Sequence, residues 1–231
     1  MRLDQYLANG TGTGLSRKDA KRAITGKRVQ VNGQLCRSTS ANINTGDSVL
    51  LDGEPVTLPG ELYLMLHKPA GVISATTDSN QPTALDLLPP ELARQVHIAG
   101  RLDKDTTGLL LITSDGQWSH RVTSPRRDCP KTYRVQLAEP LTAEARQALE
   151  QGIQLNGEDT ATRPAQVLAC SEQEIELTIS EGRYHQVKRM LAAVGNHVTA
   201  LHRQRIGAIE LDAGLAPGQF RELTRSEIDS V

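Results

Sequence analysis

The residues best suited to chemistry are two carboxylates, Asp103 and Asp105, in the connection Gly100-Arg101-Leu102-Asp103-Lys104-Asp105-Thr106-Thr107-Gly108. Apolar runs at 96–99 and 109–113 flank it and read as strands, so a rigid scaffold can hold a carboxylate there within reach of a ligand. Such a position suits a catalytic acid; a solvated surface turn has the same local pattern. A hard cation would need further oxygen ligands at organised spacing, and none accompanies this Asp-x-Asp, so no metal site is read here.

A second constellation is Glu181-Gly182-Arg183-Tyr184-His185-Gln186-Val187-Lys188-Arg189-Met190. At about 100° per residue, a helix over 184–194 puts Tyr184, Val187, Met190, Leu191 and Val194 on one face, with Lys188 at its edge and Arg189 nearly opposite. An ammonium at that edge either snorkels to solvent or is matched by a carboxylate from another loop. His185 reads as a polar surface or packing residue. Tyr133 alternates with Val135 and Leu137 on one strand face, which core packing explains; Lys131 and Arg134 beside it supply charge that an RNA site could use, with the ring available to stack on a base.

The elements that must position these groups mix helices and strands. Residues 2–8 have helical spacing, and a second helix runs from the N-cap Ser16 to Gly26, with Ala20, Ala23 and Ile24 apolar and Arg17, Lys18, Lys21 and Arg22 on the other sides. Residues 28–31, the turn Asn32-Gly33 and residues 34–37 read as a hairpin, and 47–51 as a further strand. Pro59-Gly60 marks a linker, which divides the chain into domains 1–59 and 60–231. In the second, 62–66, 96–99, 109–113, 133–137 and 174–180 read as strands and 142–151 as a helix. The fold class is α+β with strands dominant.

Charge is distributed unevenly. The chain carries a net −1, but residues 1–40 carry +6 and the remainder −7. A basic N-terminal module suits a polyanion, although a solvated helix face would look alike. Three scattered cysteines, Cys36, Cys129 and Cys170, define neither a zinc site nor a disulfide framework. No run reaches the roughly 18 apolar residues of a membrane span, and the opening Met1-Arg2-Leu3-Asp4 is unlike a secretion signal. The expectation is a cytoplasmic protein, and nothing requires a partner chain, so a monomer is expected.

Taken in order, these residues resemble the RsuA family of pseudouridine synthases. The match at Gly100 to Leu109 is the most specific, and Lys68-Pro69-Ala70-Gly71, Lys131-Thr132-Tyr133 and Arg183 to Met190 follow the family's order. The N-terminal module resembles an S4-type RNA-binding domain in Arg2-Leu3-Asp4, Leu15-Ser16-Arg17 and Val29-Gln30-Val31-Asn32-Gly33. The resemblance implies a mixed, mainly antiparallel sheet flanked by helices in the second domain, and no cofactor. It implies Asp103 as the catalytic carboxylate, Lys188 as its cationic partner and Tyr133 as the residue against the base. Arg101 resembles a side chain that fills the gap left by an extruded base, and Arg17, Lys18, Lys21, Arg22, Lys131 and Arg183 are its other RNA contacts.

Tyr184 to Met190 and Gly195-Asn196-His197-Val198 look more like the small-subunit enzyme than its large-subunit relatives. The implied substrate is 16S rRNA, free or in a small-subunit assembly intermediate, at uridine 516 in that RNA's reference numbering. Where much of the wider superfamily has Arg, this chain has Lys188, which lacks the bidentate fork. Two other functions are compatible with parts of this pattern: a non-catalytic rRNA-binding or assembly factor, and a hydrolase using Asp103 and Asp105.

Overall fold

The structure, a computed structural model, describes residues 1–10, 12–44, 46–58, 60–124 and 129–231. The chain forms two compact units, Met1–Gly60 and Glu61–Val231.

The first unit comprises α1 (Leu3–Asn9), α2 (Arg17–Thr25), β1 (Val29–Val31), β2 (Gln34–Leu35), β3 (Val49–Leu51) and β4 (Glu54–Pro55), with strand order β2-β1-β3-β4. Ser16 caps α2 by accepting the Asp19 amide at 3.2 Å. Ala20, Ala23 and Ile24 pack with Leu3, Leu7 and Val29 in its core. The hairpin turns on Asn32 and Gly33, both at positive φ, as a tight two-residue turn demands. The returning strand is shorter than the alternation predicts because β2 is an exposed edge with nothing to bury.

The second unit comprises β5 (Tyr63–Lys68), α3 (Pro90–Ala93), β6 (His97–Ala99), β7 (Thr107–Thr113), α4 (Gly116–Thr123), β8 (Lys131–Leu137), α5 (Ala143–Gln151), β9 (Gln166–Ala169), β10 (Glu174–Ile179), α6 (Gln186–Ala193), β11 (Val198–Ile206), β12 (Ile209–Glu210), β13 (Phe220–Glu222) and α7 (Arg225–Asp229). Nine strands form one sheet, ordered β13-β5-β7-β11-β8-β10-β9, with β6 on β7 and β12 on β11. Among the described residues, the pairing of β7 with β11 is the parallel one between strands of this sheet, and the other strand pairings are antiparallel. The alternation in β7 explains how both faces are covered. Leu110 and Ile112 join Tyr133, Val135, Val187 and Met190 on one side, whereas Leu109 and Leu111 join Trp118, Val122 and Ile206 on the other.

Two departures from the sequence reading bear on the site. Elements α4, β9, β11 and β13 go beyond those read from the pattern, and α6 starts at Gln186 rather than Tyr184. His185 takes a left-handed φ of 47°, which ends the helix on its N-terminal side. Tyr184 therefore leaves the apolar face to which the spacing assigns it and is 72% exposed. Among the described residues, no helix is long and apolar enough to cross a membrane.

Candidate active site

The connection from β6 to β7 carries Asp103, and three polar side chains pin it. Lys68, at the end of β5 and 0% exposed, donates to the carbonyls of Pro69 (3.0 Å), Lys104 (3.3 Å) and Thr106 (2.8 Å). Arg203, on β11 and 2% exposed, donates to Leu109 O (2.8 Å), Gly100 O (3.1 Å) and Arg101 O (3.3 Å). Ser74 Oγ donates to Leu102 O at 2.8 Å and accepts the Leu102 amide at 3.0 Å. Gly108 is required where β7 meets β11, because a Cβ there would lie 2.3 Å from the Arg203 carbonyl oxygen. The loop is thus held rigidly by groups that satisfy its backbone.

Above this base, α6 brings its first turn to the carboxylates. Lys188 Nζ lies 3.2 Å from Asp103 Oδ2 and 2.6 Å from Asp105 Oδ1. His185 Nε2 lies 3.4 Å from Asp103 Oδ1. The hydrogen bond from Lys188 holds the Asp105 carboxyl below its ordinary pKa. Partial burial works against the Lys188 charge, but hydrogen bonds and attraction from Asp105 and Asp103 outweigh it and raise the ammonium's pKa.

A cavity of about 550 Å³ opens here, lined among others by Arg101, Asp103, Lys131, Tyr133, Arg183 and Val187. The carboxylate and the Tyr133 strand, far apart in sequence, meet at one concave surface, and Lys188 reaches the carboxylate from α6.

The supporting cations are less uniform than the sequence suggests. Lys131 is buried and donates to Cys129 O at 2.8 Å, with burial pushing its pKa down. Its ammonium lies deep beside the cavity rather than out on a phosphate-binding surface. Arg183 gives its guanidinium to Thr160 O and Ala161 O, both at 2.7 Å, and to Glu181 at 3.2 Å, so it braces the turn ahead of α6. Arg134 faces away and pairs with Glu174 at 3.4 Å.

In the first unit Arg17, Lys18, Lys21 and Arg22 are all exposed. Arg17 and Lys21 reach back to within 3.8 and 3.9 Å of the buried Asp4 carboxylate, and Arg22 to 3.4 Å from Asp19. Burial of Asp4 raises its pKa, but the hydrogen bond from Arg2 and the charges of Arg2, Arg17 and Lys21 prevail and lower it. Among the described residues no group of three or more His, Cys, Asp or Glu side chains is placed to hold a metal ion.

Residues 62–193 match the RNA pseudouridylate synthase family, and residues 1–49 match the S4 domain. The chain belongs to the RNA pseudouridylate synthase family. It is 50% identical over 232 residues to the Ribosomal small subunit pseudouridine synthase A of Escherichia coli (strain K12), covering all of both chains. The protein of that name from Vibrio cholerae is 49% identical over 231 residues, covering 100% of this chain and 99% of its own. A solved structure titled "Crystal structure of pseudouridylate synthase" superposes with a TM-score of 0.73 at 44% identity, covering 100% and 99% of the two chains. The family resemblance and the α+β architecture read from the motifs are both borne out.

Sequence reasoning passed over two residues of this synthase's site. His185 had no mark distinguishing it from a surface histidine, and Arg203 had no signal because its partners come from a loop a hundred residues earlier. Lys68 stood inside a recognised motif, but only the fold shows that its ammonium ties down the loop that carries Asp103.

Proposed function

We propose that this synthase converts a uridine of small-subunit 16S rRNA to pseudouridine, with Asp103 as the catalytic carboxylate. The observation that carries the reading is a carboxylate held between two basic side chains, Lys188 at 3.2 Å and His185 at 3.4 Å, on the wall of a cavity it shares with Tyr133. The near-full-length similarity to small-subunit synthases supports the choice of RNA. It acts as a monomer in the cytoplasm, on free rRNA or a subunit assembly intermediate.

The reaction breaks the bond from ribose C1′ to uracil N1, turns the base, joins C1′ to C5, and moves a proton off C5 while N1 gains one. Atoms are conserved, so no donor or oxidant is needed. Asp103 either attacks the ribose at C1′ or takes a ribose proton to give a glycal; both routes start from the charged carboxylate. Lys188 stabilises that charge once bound RNA excludes water from the cavity. The target must leave its stack, at a cost of a few kcal/mol that contacts elsewhere offset. Tyr133 packs against the extruded base, and the exposed Arg101 fills the gap it leaves. Lys131 and Arg183 line the pocket, while Arg17, Lys18, Lys21 and Arg22 of the S4-type domain (1–59) grip neighbouring RNA through phosphate contacts largely blind to sequence.

The test is to map pseudouridine in small-subunit rRNA from cells with and without the gene, and to repeat the conversion with purified wild-type and Asp103→Asn protein. Loss of one pseudouridine in the deletion strain, restored in vitro only by wild type, is expected. Asp103→Asn should retain RNA binding, with a rate at least about a thousandfold lower. A non-catalytic assembly factor would bind the RNA and leave every uridine unchanged.

A further inference from the structure

Tyr184 and His185 form a ridge between two cavities. The first is the pocket containing Tyr133; the second, of about 540 Å³, lies across the Arg101–Asp103 segment and is lined by Ser74, Thr76, Thr77 and Lys104. Arg101, Leu102, Asp103, Tyr184 and His185 line both. The wall between them is therefore one loop strand and one aromatic pair thick.

The pair itself is unusual. The Tyr184 and His185 rings are stacked, with centroids 3.8 Å apart and planes at 19°. His185 occupies one face of the Tyr184 ring, and with 72% of the residue exposed the other face is open. The arrangement requires His185 to hold a left-handed backbone, which strains a residue bearing a Cβ. A helix begun at Tyr184 would have buried that ring against Val187 and Met190. The fold instead turns an aromatic face outward beside the carboxylate.

We propose that the second cavity receives the nucleotide adjacent to the target uridine, its base stacked on the open face of Tyr184. This rests on the substrate assignment above and extends it from one nucleotide to two. The chemistry of the walls fits the division. The first cavity has Tyr133, Val187 and Leu201 that suit an extruded pyrimidine, whereas the second adds to Ile73 and Ala75 the hydroxyls of Ser74, Thr76 and Thr77 and the Lys104 ammonium. Lys104 Nζ donates to Gln81 Oε1 at 2.9 Å, and an ammonium has further hydrogens for a phosphate oxygen. Stacking on a tyrosine tolerates any base, so the subsite contributes affinity and register rather than base identity. Because His185 touches both Tyr184 and Asp103, occupation of the subsite also aligns the histidine on the carboxylate.

The test uses the full chain and a small-subunit rRNA fragment carrying the target uridine, made intact and with an abasic site at either neighbour. Under single-turnover conditions Tyr184→Ala should raise the half-saturating RNA concentration about tenfold and lower the saturating rate far less, and Tyr184→Phe should restore wild-type behaviour. One of the two abasic RNAs should weaken wild-type binding by a similar factor and leave Tyr184→Ala binding nearly unchanged, which a role confined to packing His185 would not produce. Equal half-saturation by wild type and Tyr184→Ala, or an abasic penalty that persists in full in Tyr184→Ala, overturns the subsite alone. No pseudouridine from the unaltered protein on the intact RNA overturns the substrate assignment and the subsite with it.

Discussion

Two lysines meet the Asp103 loop from different sides, and their surroundings give them different work. Lys68 is wholly buried and spends its hydrogens on three backbone carbonyls. Lys188 has a side chain 26% exposed and spends its hydrogens on two carboxylates. Burial dominates at the first site, bringing its pKa down to about 8 despite the nearby Asp105 and Asp103 charges. At the second the carboxylates dominate and the pKa rises. One cation is a strut that the fold bears at some electrostatic cost; the other is a charge that the site can use. Residue type alone does not separate them, whereas the identity of the accepting oxygens does.

The comparison can be broken most sharply at Lys188. Lys188→Met should lower the single-turnover rate at saturating RNA by roughly a hundredfold or more, the scale of losing one preorganised electrostatic contact. Its stability, read by urea unfolding, should move by less than about 1 kcal/mol, as for other partly exposed pairs. A variant that unfolds much more easily yet turns over normally would assign Lys188 to the scaffold.

Lys68→Met should do the reverse, costing about 2–4 kcal/mol of unfolding free energy because buried carbonyls lose their donor. Activity should fall only as the loop disorders. A midpoint within error of wild type would show that those carbonyls do not need the ammonium.

A pH series sharpens the same contrast. Burial pushes the Lys68 pKa down to about 8 from its ordinary 10.5, so between those values the unfolded chain binds more protons than the folded one. The Lys68 contribution to stability is flat below about pH 8 and rises with pH from there towards 10.5, as the cost of the buried charge is relieved. The difference between wild-type and Lys68→Met unfolding curves should show this rise; a difference independent of pH would place the ammonium in contact with water.

The smallest expected effect concerns the basic helix of the first unit. Arg17→Ala combined with Lys21→Ala should weaken rRNA binding and make the dependence of log affinity on log salt shallower by up to about two phosphate contacts. An unchanged salt slope in a filter-binding titration would detach these side chains from the RNA and leave them as partners of Asp4 alone.

Legibility followed the range of the interactions involved. The capped helix at Ser16 and the Asn32-Gly33 hairpin were readable because their causes lie within four residues. The placement of Asp103 in a loop between two strands was readable from the apolar runs that flank it, and for Lys188, at the edge of an apolar stripe, a carboxylate from another loop was already among the partners foreseen. The start of α6 was misplaced by two residues because spacing counts apolar positions and cannot register the left-handed turn at His185. Arg203 could not be read at all, since its function exists only where β11 lies parallel to β7.

By itself, then, the sequence determined the helices and hairpin of the first unit, several strands of the second, the basic N-terminal module and the family, because each depends on neighbouring residues or an ordered set of motifs. Tertiary structure alone decided that Lys68 and Arg203 anchor the loop, that Arg183 braces a turn, and that His185 and Tyr184 stand beside Asp103. Those roles depend on which oxygen atoms a side chain meets across the sheet, and hydrogen bonds lose their strength over a few tenths of an ångström. Spacing along a chain carries no information at that precision.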